Sequence, residues 1–337
     1  MFIVNSYALA VVFCFITMLC WGSWANTQKL AAKTWRYELF YWDYVIGMVL
    51  FSLVLAFTAG SIGSEGRPFL QDVAQADWRS IGWVILGAVV FNVSNILLSA
   101  SVSIAGMAVA FPLGVGIALV MGVLNNLLLH PVAGQNTGLL WLGVGLVVVA
   151  IICNGIASGK VSGEQRDAGQ NTKGIILAAL AGIIMSFFSA LVYNGVDLDN
   201  FAAPAAGKLT PYTAMVFFAL GVFLSNFIVN TIVMRRPFVG EPVSYKQYFA
   251  GSFGTHLVGV LGGCIWALGT SINYISAGTA GAAVSYALGQ GAPMIAAIWG
   301  VFIWKEFKGA KKGVYVLLAL MFCLFVSGLA CIIASGN

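Results

Sequence analysis

The chain has 337 residues, 60% of them hydrophobic and 8% charged, with 16 Lys and Arg against 11 Asp and Glu. Soluble proteins carry roughly 25% charged residues, so this composition and a mean hydropathy of +0.95 exclude soluble enzymes, nucleic-acid binders and disordered chains. Barrel strands would alternate polar and apolar residues over about ten positions; the unbroken apolar runs here instead predict an all-α polytopic membrane protein.

A helix crosses the hydrocarbon core in about 20 apolar residues. Such runs fall at 4–24, 39–60, 80–100, 104–129, 137–157, 173–195, 212–234, 252–274, 278–304 and 312–334, predicting ten transmembrane helices. The first run has neither the basic flank nor the small-x-small site of a signal peptide and reads as a retained span. The short connections at 100–104 and 274–278 predict antiparallel hairpins. Cysteines 14, 20, 153, 264, 323 and 331 all lie in apolar runs without CxxC spacing and read as packing residues.

Thirteen of the 16 basic residues lie in loops after odd-numbered spans, and only Arg67, Arg79 and Lys208 lie in the others. The positive-inside rule then places the odd-to-even loops in the cytoplasm and both termini outside the cell (inner) membrane. The segment Val102–Gly116 aligns on Ala277–Gly291 at an offset of 175 residues, with seven identities in 15, and Gly138 falls on Gly313 at the same offset. Shared small-residue composition is the plainer explanation. The preferred one is a duplicated five-helix unit, 1–160 and 170–337. An odd number of spans turns the second copy upside down, the inverted-repeat plan of many secondary transporters, with substrate bound near the midplane.

Asp43 is the one charge in the interior of an apolar run rather than at its edge, while Glu38, a turn earlier, reads as a loop residue. A carboxylate at that depth is costly and points to a coupling site for H⁺ or Na⁺; the competing reading is an interfacial residue snorkelling among Tyr41, Trp42 and Tyr44. His256 opens span eight and suits either a proton relay or a structural helix end. Asn92, Asn95 and Ser99 share a face of span three; Trp266, Thr270 and Asn273 share one on span eight; Tyr286 and Gln290 are neighbours on span nine, with Phe111 the repeat partner of Tyr286. Asn226 and Asn230 pair likewise on span seven. Each alone is explained by interhelical hydrogen bonding, worth about 0.6 kcal/mol. Together Asn92, Asn95, Phe111, Asn226, Trp266, Thr270, Asn273, Tyr286 and Gln290 offer amides, hydroxyls and aromatic faces with almost no charge, which suits a neutral polyhydroxylated or amide-rich solute. Pro112 and Pro293 interrupt spans four and nine, and Trp21 stands in the run CWGSW; all three are candidate gates, or else a kinked packing helix and an interface anchor. HExxH, GxSxG and Walker A motifs are absent from the sequence, so neither an enzyme nor a cofactor beyond the coupling ion is expected.

The span-one CWGSW, the entry YWDY into span two, the long HLVGVLGGCIWALGTSINYISAGTAGAAVSYALGQGAPMIAAIWGVFIWKEF and its partner FPLGVGIALVMGVLNN resemble the drug/metabolite transporter superfamily. More narrowly they resemble its glucose/ribose porter and ureide permease branch; rhamnose–proton symporters are similar in length and span count. The resemblance implies a solute:cation symporter, with Asp43, the Trp266–Thr270–Asn273 face and the Tyr286–Gln290 face in matching positions. The expected cargo is a neutral monosaccharide imported by alternating access; the alternatives are a ureide, nucleobase or nucleoside permease and a drug or metabolite exporter. The expected partners are that solute and the bilayer, with no nucleic acid, in a monomer or homodimer.

Overall fold

Inside a bilayer every backbone N–H and C=O must be satisfied within the protein, and an apolar segment does this by forming a helix. The computed structural model describes the backbone of residues 1–31, 35–105, 107–162 and 168–336, and their side chains except 102–103, 107–109, 111–112, 162 and 168–171. In chain order the helices are α1 (Tyr7–Ser23), α2 (Ala25–Ala31), α3 (Tyr37–Phe57), α4 (Phe69–Gln75), α5 (Trp78–Ala105), α6 (Met107–Leu129), α7 (Thr137–Ser162) and α8 (Ala168–Met185). There follow α9 (Phe188–Tyr193), α10 (Pro211–Arg235), α11 (Tyr245–Phe249), α12 (Phe253–Ala280), α13 (Ala282–Gly289), α14 (Ala292–Ile298), a π-helical turn at Trp299–Ile303, and α15 (Lys312–Ala334). Nine helical stretches among the described residues are long and apolar enough to cross a membrane, and Leu113–Leu129 of α6 adds a shorter one.

Polar caps set several starts. Ser6 accepts from the Leu9 amide at the head of α1, and Ser252 from the Thr255 amide at the head of α12. Ser244 and Gln247 close a capping box on α11, and Thr210 caps α10 ahead of Pro211. Two expectations from sequence shift. Glu38 lies in the first turn of α3, buried, rather than in a loop, because the helix extends past the apolar run. Span eight continues to Ala280, and the corner falls at Gly281, whose φ of +83° suits a residue without Cβ.

The offset of 175 residues reappears in the helix boundaries. Helices α5 and α12 are both 28 residues long and start at Trp78 and Phe253; α6 and α13 start at Met107 and Ala282, and α7 and α15 at Thr137 and Lys312. Packing follows the same exchange: α1 lies on α12 as α8 lies on α5, and α3 lies on α12 as α10 lies on α5. The pairs α7 with α15 and α3 with α10 each join a helix to its own counterpart. At the α3–α12 crossing, a Cβ on Gly263 would stand 1.9 Å from the Tyr44 carbonyl oxygen, and one on Gly47 would stand 2.1 Å from that of Val260. Glycine there lets the backbones touch, as close packing between membrane helices requires.

Among the described residues three spans are interrupted. Span one breaks at Trp24, span six between Met185 and Phe188, and span nine at Gln290 and Gly291. The last break precedes Pro293, which occupies the first turn of α14, where its missing N–H costs nothing. Broken helices bring polar backbone and side chains to a midplane cavity.

Candidate functional site

A cavity of about 100 Å³ lies where these interruptions meet. The end of span one contributes Trp21 and Trp24, span three Phe91, Asn95 and Leu98, span four Val115, span six Met185 and Phe188, span eight Trp266, and span nine Gln290 and Pro293. None of its lining residues among those described is ionisable. Drug-sized ligands occupy pockets of roughly 300–1,000 Å³, so this one is scaled to a smaller molecule.

Its floor is aromatic. Trp21 lies nearly parallel to Trp266, with ring centroids 6.2 Å apart and 13° between planes, and Phe91 meets Trp266 at 4.5 Å. Phe91 and Trp266 are matched positions under the 175-residue offset, so α5 and α12 meet here at corresponding places in their sequences. Beneath it Phe218 stacks on Trp266 at 5.9 Å, and Tyr274 and Tyr193 continue the packing. Two amides supply the polarity. Asn95 Nδ2 donates to the Tyr41 hydroxyl at 3.1 Å, which fixes the orientation of its amide. Gln290 is placed by the break in span nine, one turn beyond Tyr286.

The residues singled out from sequence separate into groups. Asn95, Trp266, Gln290, Trp21 and Pro293 line the cavity. Thr270 stands just behind, its hydroxyl accepting from Trp21 Nε1 at 3.0 Å and so orienting that ring. Asn92 faces α10, donating to Ser225 Oγ at 2.9 Å and the Val222 carbonyl at 3.4 Å. Asn273 ties three helices together, donating to the Ser285 carbonyl at 2.9 Å and accepting from the Tyr193 hydroxyl at 3.2 Å. Tyr286 donates to the Ala118 carbonyl at 3.0 Å, sealing α13 to α6. Asn226 is fully buried with neither side-chain amide atom partnered. The side chains of Phe111 and Pro112 lie outside the described residues.

Asp43 and His256 are brought together, although 213 residues separate them. His256 Nδ1 is 2.9 Å from both carboxylate oxygens of Asp43, and the Tyr248 hydroxyl donates to Oδ1 at 2.6 Å. Trp35 packs edge-on against the imidazole at 4.8 Å. Asp43 is 2% exposed, so its position is one of pairing rather than snorkelling into water. Burial, with Asp43 adding to it, pushes the Tyr248 hydroxyl well above its usual range, so it remains a donor. Sequence reasoning missed Phe91, Leu98, Val115, Met185 and Phe188 in the cavity, and Tyr248 beside Asp43. Phe91 had a signal available: it is one turn before Asn95 and the repeat partner of Trp266.

The family model for ureide permeases matches residues 40–168 and 160–335, two stretches that meet between α7 and α8. Ureide permease 2 of Arabidopsis thaliana is 23% identical over 399 aligned residues, covering 100% of this chain and 99% of that protein. Ureide permease 4 of the same plant is 24% identical over 402, again covering 100% and 99%. Transmembrane protein 144 homolog B of Dictyostelium discoideum is 24% identical over 149 residues, covering 42% of this chain and 38% of that one. A solved crystal structure covers 96% of both chains with a TM-score of 0.64 at 17% identity, which shows a shared fold. The resemblance to sugar porters and rhamnose symporters gains no support from these matches. The chain is a multi-pass membrane transporter, not an enzyme, and it belongs to the ureide permease family.

Proposed function

We propose that this protein moves a small, flat, uncharged ureide-like solute across the membrane by alternating access between two inverted five-helix halves. The observation that carries this reading is the uncharged cavity, walled by Trp21, Trp266, Phe91 and Phe188 and given its polarity by the amides of Asn95 and Gln290. Each amide offers a carbonyl acceptor and an NH₂ donor, the complement of a urea group, and the aromatic faces suit a conjugated, planar cargo. The names of the relatives favour this cargo over the monosaccharide expected first. The repeated helix boundaries and exchanged packing favour the inverted halves. The charge asymmetry of the loops favours an inner-membrane orientation with both termini outside.

Asp43, held by His256 and Tyr248, is the coupling group in this reading; at that burial its charge depends on what it binds. The test is uptake into proteoliposomes of a labelled cyclic ureide, a nucleobase and a monosaccharide, with and without pH and Na⁺ gradients. Saturable, gradient-driven ureide uptake is expected, with Asp43→Asn losing accumulation while keeping exchange. Saturable monosaccharide uptake with no ureide uptake overturns the cargo, and full accumulation by Asp43→Asn overturns the coupling role.

A further inference from the structure

Away from the cavity, one arginine bridges two loops at each end of the helix bundle. At the first end Arg36, just before α3, forks onto Glu38, with Nε donating to Oε2 at 3.2 Å and Nη2 to Oε1. The same guanidinium crosses to the loop between α10 and α11, donating to the carbonyls of Glu241 and, at 3.1 Å, Val239. At the opposite end Arg67, just before α4, donates from Nε to Asp72 Oδ1 at 2.9 Å. Its Nη2 crosses to the loop between α9 and α10, reaching the carbonyls of Lys208 at 2.7 Å and Ala205 at 3.3 Å. Both carboxylates are 0% exposed, while the arginine side chains keep 33% and 22% of their exposure.

These loops correspond under the 175-residue offset. The loop before α3 matches the one before α10, and the segment before α12 matches the one before α5. The arginine, however, sits on opposite members: ahead of α3 in one bridge and between α3 and α5 in the other. Equivalent loops are joined at both faces by residues that are not equivalents of each other. Simple copying of a packing contact would have kept the arginine on the matching loop.

The division of labour inside each bridge is the same. The ionic half is local, within Arg36–Glu38 and within Arg67–Asp72, whereas the bonds each arginine makes across to the other loop all go to neutral carbonyls. Separating the loops breaks those carbonyl bonds, and at the second joint also the Thr210 amide's bond to Asp72 Oδ2 at 2.8 Å and the bonds of Gln75 to Gly207 and Lys208, but each buried carboxylate keeps its cation, whose loss would be strongly unfavourable. Such a joint can open and re-form repeatedly.

We propose that Arg36 with Glu38 and Arg67 with Asp72 are the two gating pairs of the transport cycle, each holding one face of the bundle closed and released in alternation. The inference rests on the alternating-access reading above. Its test needs no substrate: a single reporter at the cavity-lining Ala296→Cys, with the native cysteines replaced, is labelled by a membrane-impermeant maleimide from each side of oriented vesicles. Arg36→Gln is expected to raise labelling severalfold from the face bearing the loop before α3, and Arg67→Gln from the other face. Arg36→Lys and Arg67→Lys keep the charge beside the carboxylate but lose the fork, give smaller shifts of the same sidedness, and decide the matter if a glutamine variant fails to fold. Folded variants that label at the parental rate from both sides overturn the gates, even with ureide uptake intact. A one-sided shift in a protein that moves no ureide would leave the gates standing and overturn only the cargo.

Discussion

Helices α5 and α12 have the same length and equivalent neighbours, yet they use their inward faces differently. At one matched position both present a ring to the cavity, Phe91 and Trp266, in contact at 4.5 Å. A turn further on, Asn95 faces the cavity while its partner Thr270 is engaged with Trp21. Beyond that, Leu98 lines the cavity whereas Asn273 is locked to Tyr193 and Ser285. The helix boundaries recur in register and the side chains do not, so the two matched helices contribute different groups to the cavity.

The largest effect expected from disturbing the comparison is at the shared floor. Trp266→Ala and Phe91→Ala each remove a buried ring from one cluster and are each expected to cost about 3–5 kcal/mol of stability, read as the thermal midpoint in detergent, with uptake lost. If the two helices meet at an axis the costs are similar; a silent Phe91→Ala beside a severe Trp266→Ala would mean that the floor belongs to α12 alone.

A much smaller effect separates the helix starts. Asp77 and Ser252 are matched positions, and each accepts a backbone amide at its helix head, from Ser80 at 2.6 Å and Thr255 at 3.2 Å. The Ser80 amide and hydroxyl hold the exposed Asp77 carboxyl below its usual range. A carboxyl depressed in the folded state stabilises above its unfolded pKa, and that contribution disappears as pH falls through the folded value. Asp77→Ala should therefore cost stability at neutral pH and little in acid, while Ser252→Ala should cost about 1 kcal/mol at both. Equal pH dependence of the two variants in thermal unfolding would contradict the assignment of Asp77 as a cap.

The spans were legible because apolar run length is imposed by the bilayer. Boundaries were less so: α12 continues six residues past its expected end at 274 because Ser276 and Thr279 make the last turns look polar, although Ser276 merely bonds back to the Ile272 carbonyl at 2.8 Å. At the site, periodicity found the polar stripe Asn92–Asn95–Ser99, but the cavity face is Phe91–Asn95–Leu98. Asn92 is drawn off by Ser225 on α10, a residue 133 positions away, and nothing local announces such a partner. The same limit hid Tyr248 from Asp43, since α11 is a short surface helix whose docking is a tertiary event. Aromatic residues went unnoticed for a different reason: in a chain this apolar, Phe91 and Phe188 are indistinguishable from core until the fold collects them.

Asn92 and Asn95 offer the most direct test, because they carry the same side chain three residues apart on one helix and face different surroundings. The measurement is concentration-dependent ureide uptake by Asn92→Ala and Asn95→Ala at matched levels of folded protein in proteoliposomes. Asn95→Ala is expected to raise KM about tenfold, the loss of roughly 1.4 kcal/mol of binding, while Asn92→Ala leaves KM at the parental value. A raised KM for Asn92→Ala with Asn95→Ala unchanged would contradict that expectation and move the binding site to the α5–α10 seam.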